Sequence, residues 1–148
     1  MAWISRRRTR TGWWKHPGAA MLPDDGDAAI AAFLGGGIDP AGFRHRDHVR
    51  VAFEMLRRAP FLEVAPAYAA ALRALAVKAG RPGAYHETIT VGFLALVGER
   101  LLAGDESFAR FERDNPDLFD KAVLQRWYSA ERLSSAAARR TFLLPEPR

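Results

Sequence analysis

Cysteine is absent from the 148-residue chain. That excludes disulfides, thiolate-bound metals and cysteine nucleophiles, and it fits a reducing compartment, here expected to be the cytoplasm. Also missing is any apolar run long enough for a signal-peptide core or a membrane-spanning helix. Arg7-Arg8 is not followed by the hydrophobic stretch that a twin-arginine export signal requires. No glycine-rich phosphate loop, dinucleotide fingerprint or Ser-His-Asp order occurs. Nothing alternates apolar and polar residues between turn signals, as a half-buried strand would. The β-branched run Thr88 to Val91 is short and sits inside a helical pattern. Internal repeats and low-complexity segments are missing too.

Acidic residues are lacking from the first 20 positions, which hold Arg6, Arg7, Arg8, Arg10 and Lys15. This stretch accounts for the whole net charge of +5, and the remaining 128 residues carry 17 basic and 17 acidic side chains. A protein that neutralises phosphates needs a basic face on its folded body. The neutral body argues against nucleic acid. Residues 1–20 carry Trp3, Trp13 and Trp14 but no hydrophobic periodicity. They are expected to be a disordered basic extension, or read-through upstream of a start at Met21, and not a membrane-binding arm. Residues 21–148 form the one domain that this length allows.

What is present is helical periodicity with punctuation. Asp24-Asp25-Gly26-Asp27 caps a first helix that Gly35-Gly36-Gly37 stops. A second runs from about His45 to Arg58 and ends at Ala59-Pro60. Pro66 opens a third, Ala67 to Ala79, broken by Gly80 and Pro82-Gly83. His86 begins a fourth that runs to Ala103 and closes at Gly104. Asp105 or Glu106 starts a fifth to about Asp114, Asp117 caps a sixth over Leu118 to Tyr128, and a seventh covers about Ala130 to Arg140. The expectation is an all-α compact bundle of six to seven helices with short connections and no sheet.

Three of the four histidines fall in two short runs, Phe43 to Phe53 and Tyr85 to Thr90. At about 100° per residue, His45 and His48 share the core-facing arc with Val49, Ala52, Phe53, Met55 and Leu56. Arg46, Asp47, Arg50, Glu54, Arg57 and Arg58 fill the opposite arc. His86 shares an apolar face with Ile89, Phe93, Leu94, Leu96, Val97 and Leu101, with Thr90 one turn below it. Short loops make neighbouring helices antiparallel, so the second and fourth run the same way. His45, His48 and His86 therefore belong at one end of the bundle, facing inward. Helix N-termini and apolar neighbours favour neutral imidazoles there. Ser, Thr, Asp and Asn are the better caps, so a reason other than helix stability is worth seeking.

Three readings stay open. In the first, His45, His48 and His86 ligate a divalent transition metal (zinc, copper or iron), with Glu87 or water completing the shell. In the second, they form a metal-free histidine pocket. In the third, they are satisfied core residues, bonded to one another, to Thr90 or to carbonyls. His86-Glu87-Thr88-Ile89-Thr90 begins like the zinc-peptidase helix signature, but Thr90 stands where the second histidine belongs, so that chemistry is not supported. Glu87 is the candidate catalytic base, or a first-turn acid favoured by the helix dipole. Tyr85 lines the pocket or packs as a staple, Arg100 is expected to snorkel, and Trp127 and Tyr128 to be core. His16 lies in the basic extension.

Phe43-x-His45-x-x-His48 followed by Tyr85-His86-Glu87-Thr88-x-Thr90 resembles the paired motif of a family of short bacterial all-helical proteins. The resemblance spans Met21 to Leu143-Leu144-Pro145 and leaves the basic extension outside. It implies the helical fold and carries no activity with it. The functional expectation is a small metal-dependent enzyme acting on a small organic substrate at the histidine site. The alternatives are a non-catalytic protein that binds a metal or small ligand, and a partner-binding subunit with structural histidines.

Overall fold

The computed structural model describes residues 22–101 and 107–147. The expected basic extension, the end of the fourth helix at Ala103-Gly104 and the start of the fifth at Asp105 or Glu106 lie outside the described residues. Among the described residues there are seven α-helices and no strand, so the chain is all α. None of these helices is long and apolar enough to cross a membrane.

Helix α1 (Gly26–Leu34) starts where the Asp25 carboxylate accepts from the Ala28 N–H at 2.9 Å. It ends at Gly35, and Gly36 turns the chain at φ 75°, a conformation that a side chain would strain. Helix α2 (His45–Leu56) begins at Arg44, whose N–H donates to the Asp47 carboxylate at 2.9 Å. A first-turn acid thus reaches back over the helix start, as in one half of a capping box.

Helix α2 is the axle of the fold, because α1, α3, α4 and α5 all pack against it. The helical-wheel expectation put Arg50 and Glu54 towards solvent, yet both are buried. The segment from Asp24 through α1 covers that side. Arg50 donates to the Asp24 carbonyl at 2.6 Å, and Arg58 bridges Glu54 to Asp27 of α1. Charge can be buried here because each group has a partner.

Helix α3 (Phe61–Lys78) starts at Phe61, ahead of the expected Ala67, and carries Pro66 inside it. Proline removes the donor that the Leu62 carbonyl would use. Leu62 is exposed, so water can take that place. Helix α4 (Glu87–Arg100) follows, and α5 (Phe108–Asp114) is capped by Ser107. Phe53 packs against Phe108 and Phe111 with ring centroids 5.4 and 4.8 Å apart.

The last third departs from the helices expected there. In place of one helix over Leu118 to Tyr128 there are two short 3-10 turns, Pro116–Phe119 and Val123–Arg126. Asp120 separates them in an extended conformation, its carboxylate accepting from the Ala122 N–H at 2.9 Å. The expected helix over Ala130 to Arg140 is split into α6 (Ala130–Ser134) and α7 (Ala136–Arg140). Ser135 makes the break. Its hydroxyl donates to the Arg132 carbonyl at 2.7 Å and accepts from the Ala138 N–H at 3.1 Å, closing one helix and capping the next.

An extended strap over residues 141–146 finishes the described chain. The buried Thr88 hydroxyl donates to the Thr141 carbonyl at 2.8 Å and accepts from the Leu143 N–H at 3.0 Å. Tyr128 donates to the Leu143 carbonyl at 2.8 Å. Arg100 was expected to snorkel; instead its guanidinium forks onto both oxygens of Asp117 at 2.8 and 2.9 Å.

Candidate functional site

A cavity of about 800 Å³ opens where the first turns of α2 and α4 meet the C-terminal half of α3. His45, His48 and His86 all line it, with Val49, Leu72, Leu75, Phe93 and Val97 as apolar wall. Its size falls in the usual range for small-ligand sites, about 300–1,000 Å³. The sequence places the three imidazoles together because α3 runs back between two helices that start at the same end.

The three rings have different work. His86 sits just before α4, where its Nδ1 accepts from the Ile89 N–H at 3.2 Å. Its Nε2 donates to the Leu133 carbonyl at 2.6 Å. A nitrogen that accepts carries no proton, so His86 is the neutral Nε2–H tautomer. It is a helix cap and a bridge to α6, a structural reason that the preference for Ser, Thr, Asp and Asn at caps had hidden. To take a metal it would have to release one of these two partners.

His45 donates its Nε2 proton to the Leu118 carbonyl at 2.8 Å and meets the Phe93 ring at 4.9 Å. His48 donates from Nδ1 to the Arg44 carbonyl at 2.9 Å and lies 4.5 Å from the Phe43 ring. Its backbone carbonyl accepts from the Tyr68 hydroxyl at 3.0 Å, which locks the first turn of α2 to α3. Desolvation by burial pulls the His48 pKa below the ordinary histidine value, and His45 and Lys121 add to that. The Arg44 carbonyl and Asp47 oppose it. At neutral pH its Nε2 is therefore a bare lone pair. No buried side-chain N or O among the described residues lacks a hydrogen-bond partner. The free nitrogens of His45 and His48 are accordingly open to solvent in or beside the cavity.

Among the described residues, no group of three or more His, Asp or Glu side chains stands close enough together to hold a metal ion. Glu87 does not line the cavity. Its carboxylate accepts from the Tyr85 hydroxyl at 2.7 Å and from Arg73 at 2.9 Å, and Arg73 lies over the Tyr85 ring at 4.4 Å. Burial, with the Glu87 carboxylate beside it, pushes the Tyr85 phenol up to about 12. Glu87 thus sits at the first turn of α4, tied to α3.

Sequence reasoning missed the polar rim. Arg44, Arg46, Arg81 and Lys121 line the cavity, and no Asp or Glu does. Arg81 and Lys121 lie in connections, where no periodicity marks them. Arg44 was visible as the residue between Phe43 and His45, and its place just before α2 was the available signal.

All-helical, with a histidine-lined cavity to which the irregular C-terminal third contributes Lys121, is the class that fold and site define. Compared with protein-family models, curated proteins and solved structures, the chain matches none. The resemblance carried by the paired motifs therefore rests on those motifs alone.

Proposed function

We propose that the protein binds a small organic molecule in this cavity and presents His48 Nε2 to it as a hydrogen-bond and proton acceptor. The observation that carries the proposal is the bare nitrogen of a neutral imidazole at a cavity of ligand size with a largely apolar wall. A substrate O–H, N–H or acidic C–H brought within about 3 Å of that nitrogen would have a base to donate to. The Arg44 carbonyl holds the ring for that role, and Tyr68 holds the backbone that carries it. The lack of cysteine suits a cytoplasmic setting.

A second reading keeps the metal. His45 Nδ1 and His48 Nε2 are the imidazole nitrogens left over, one helical turn apart. A zinc, copper or iron ion would use these two, with ligand or water oxygens for the rest, while His86 kept its structural bonds.

The first reading is tested with N-phenyl-1-naphthylamine, a neutral dye that brightens in apolar sites. The full chain should bind it, and Leu72→Trp, which fills the cavity, should abolish the signal while the thermal melt stays cooperative. Equal brightening in the wild type and the filled variant would sink the proposal. For the second reading, metal is assayed in protein purified without a histidine tag. A content well below one ion per chain overturns it.

A further inference from the structure

We propose that the natural ligand of this cavity is an amphipathic organic anion, with its apolar body inside and a single carboxylate at the rim. The inference deepens the small-molecule reading above and rests on it. Four cationic side chains line the cavity, Arg44, Arg46, Arg81 and Lys121, and no carboxylate does. Arg46 is neutralised by Glu112. Arg44, Arg81 and Lys121 have no carboxylate partner among the described residues.

Arg50, Arg57, Lys78, Arg132, Arg139 and Arg140 also lack a carboxylate within ion-pair distance among the described residues, so what sets the cavity apart is that its lining holds cations and no acid. Residues 21–148 hold equal numbers of acids and bases. Arg58, Arg73, Arg100, Arg110, Arg113 and Arg126 each stand within ion-pair distance of an acid. Three exposed, unpaired cations from three separate segments line this one cavity: the residue before α2, the α3–α4 connection and the link between the 3-10 turns. Lys121 is near enough to His48 to disfavour its protonation. A wall of aliphatic and phenyl groups under a cationic rim fits a molecule with an apolar body and one anionic end.

The same geometry predicts how binding and protonation are coupled. His48 is faced by His45 and Lys121, which disfavour its imidazolium, and by Asp47 and the Arg44 carbonyl, which favour it. A carboxylate seated among Arg44, Arg81 and Lys121 adds a negative charge, so its binding should raise the His48 pKa. A neutral ligand of the same shape should not.

The experiment loads the full chain with N-phenyl-1-naphthylamine and displaces it with decanoate or with decanol. Decanoate should win by roughly tenfold, the worth of one charge-assisted contact. The double change Arg44→Gln/Arg81→Gln should close that gap and leave decanol unchanged. The His48 ring resonances, followed by NMR against pH, should shift their midpoint upward with decanoate alone. If the dye binds but decanol displaces it as well as decanoate, the anion inference falls and the cavity reading stands. It falls likewise if the double variant keeps the gap. If neither the dye nor either decyl compound binds or perturbs His48, the cavity reading falls and takes this inference with it.

Discussion

His86 and Leu133 are joined by a hydrogen bond of 2.6 Å in which the imidazole Nε2 donates to the carbonyl, while the same ring caps α4 through Nδ1. One side chain therefore holds both the start of a core helix and the position of α6.

Replacing it should cost stability first. His86→Ala removes a cap worth about 1 kcal/mol and strands a buried carbonyl at about 1–3 kcal/mol. Urea unfolding should show a loss of about 2–4 kcal/mol, unchanged by added chelator. His86→Asn should recover the cap portion alone. A variant as stable as wild type would show that these bonds carry no weight.

Protonation of His48 should weaken the fold. Burial holds its folded-state pKa below the ordinary histidine value, so the unfolded chain binds that proton more tightly. The stabilisation is complete above the ordinary value and is lost as pH falls through it towards the folded-state value. Between about pH 7.5 and about pH 5, the wild-type urea midpoint should fall further than that of His48→Gln. Equal slopes would contradict the assignment.

Asp117 behaves in the same sense, but in a more acidic range. Its hydrogen bonds to Arg100, with the charges of Arg100 and Arg126, hold the carboxyl at about 2. Its contribution is present above the unfolded Asp value and lost as pH falls towards about 2. Arg100→Gln should cost about 1 kcal/mol at neutral pH, and the difference from wild type should vanish in acid.

The strap can be released at one atom. Thr88→Val keeps shape and removes the hydroxyl that serves both Thr141 and Leu143. The change should cost about 1–3 kcal/mol, because a buried donor and acceptor lose their partner. Hydrogen exchange at the Leu143 amide should accelerate selectively. Unchanged protection there would mean that Tyr128 holds the strap unaided.

Much of the helical half was legible in order. Asp25, Pro60, Gly80 and the Pro82-Gly83 break mark ends that the structure uses, and the angular pattern of α2 and α4 turned all three histidines inward. Legibility failed where elements were too short for a period to establish itself, as at Asp120 and Ser135. It failed again for Arg50 and Glu54, since a single-helix wheel cannot show that α1 covers the far side. The histidine partners were the least readable. Leu118 lies 73 residues from His45, and Leu133 lies 47 from His86. A backbone carbonyl leaves no mark in the sequence. The pattern of inward histidines read equally well as ligands or as carbonyl donors, and only the packed chain separates Nε2 of His86 from Nε2 of His48.

The order in which the chain leaves the ribosome gives the strap a further meaning. The polar atoms of His45, His86 and Thr88 are made early, and their partners at Leu118, Leu133, Thr141 and Leu143 are made late. A nascent chain halted after α5 would hold its main helices with these groups unpaid, a state that favours continued opening. The packing behind α2 and α4 is thus finished last, when Leu143 reaches Thr88.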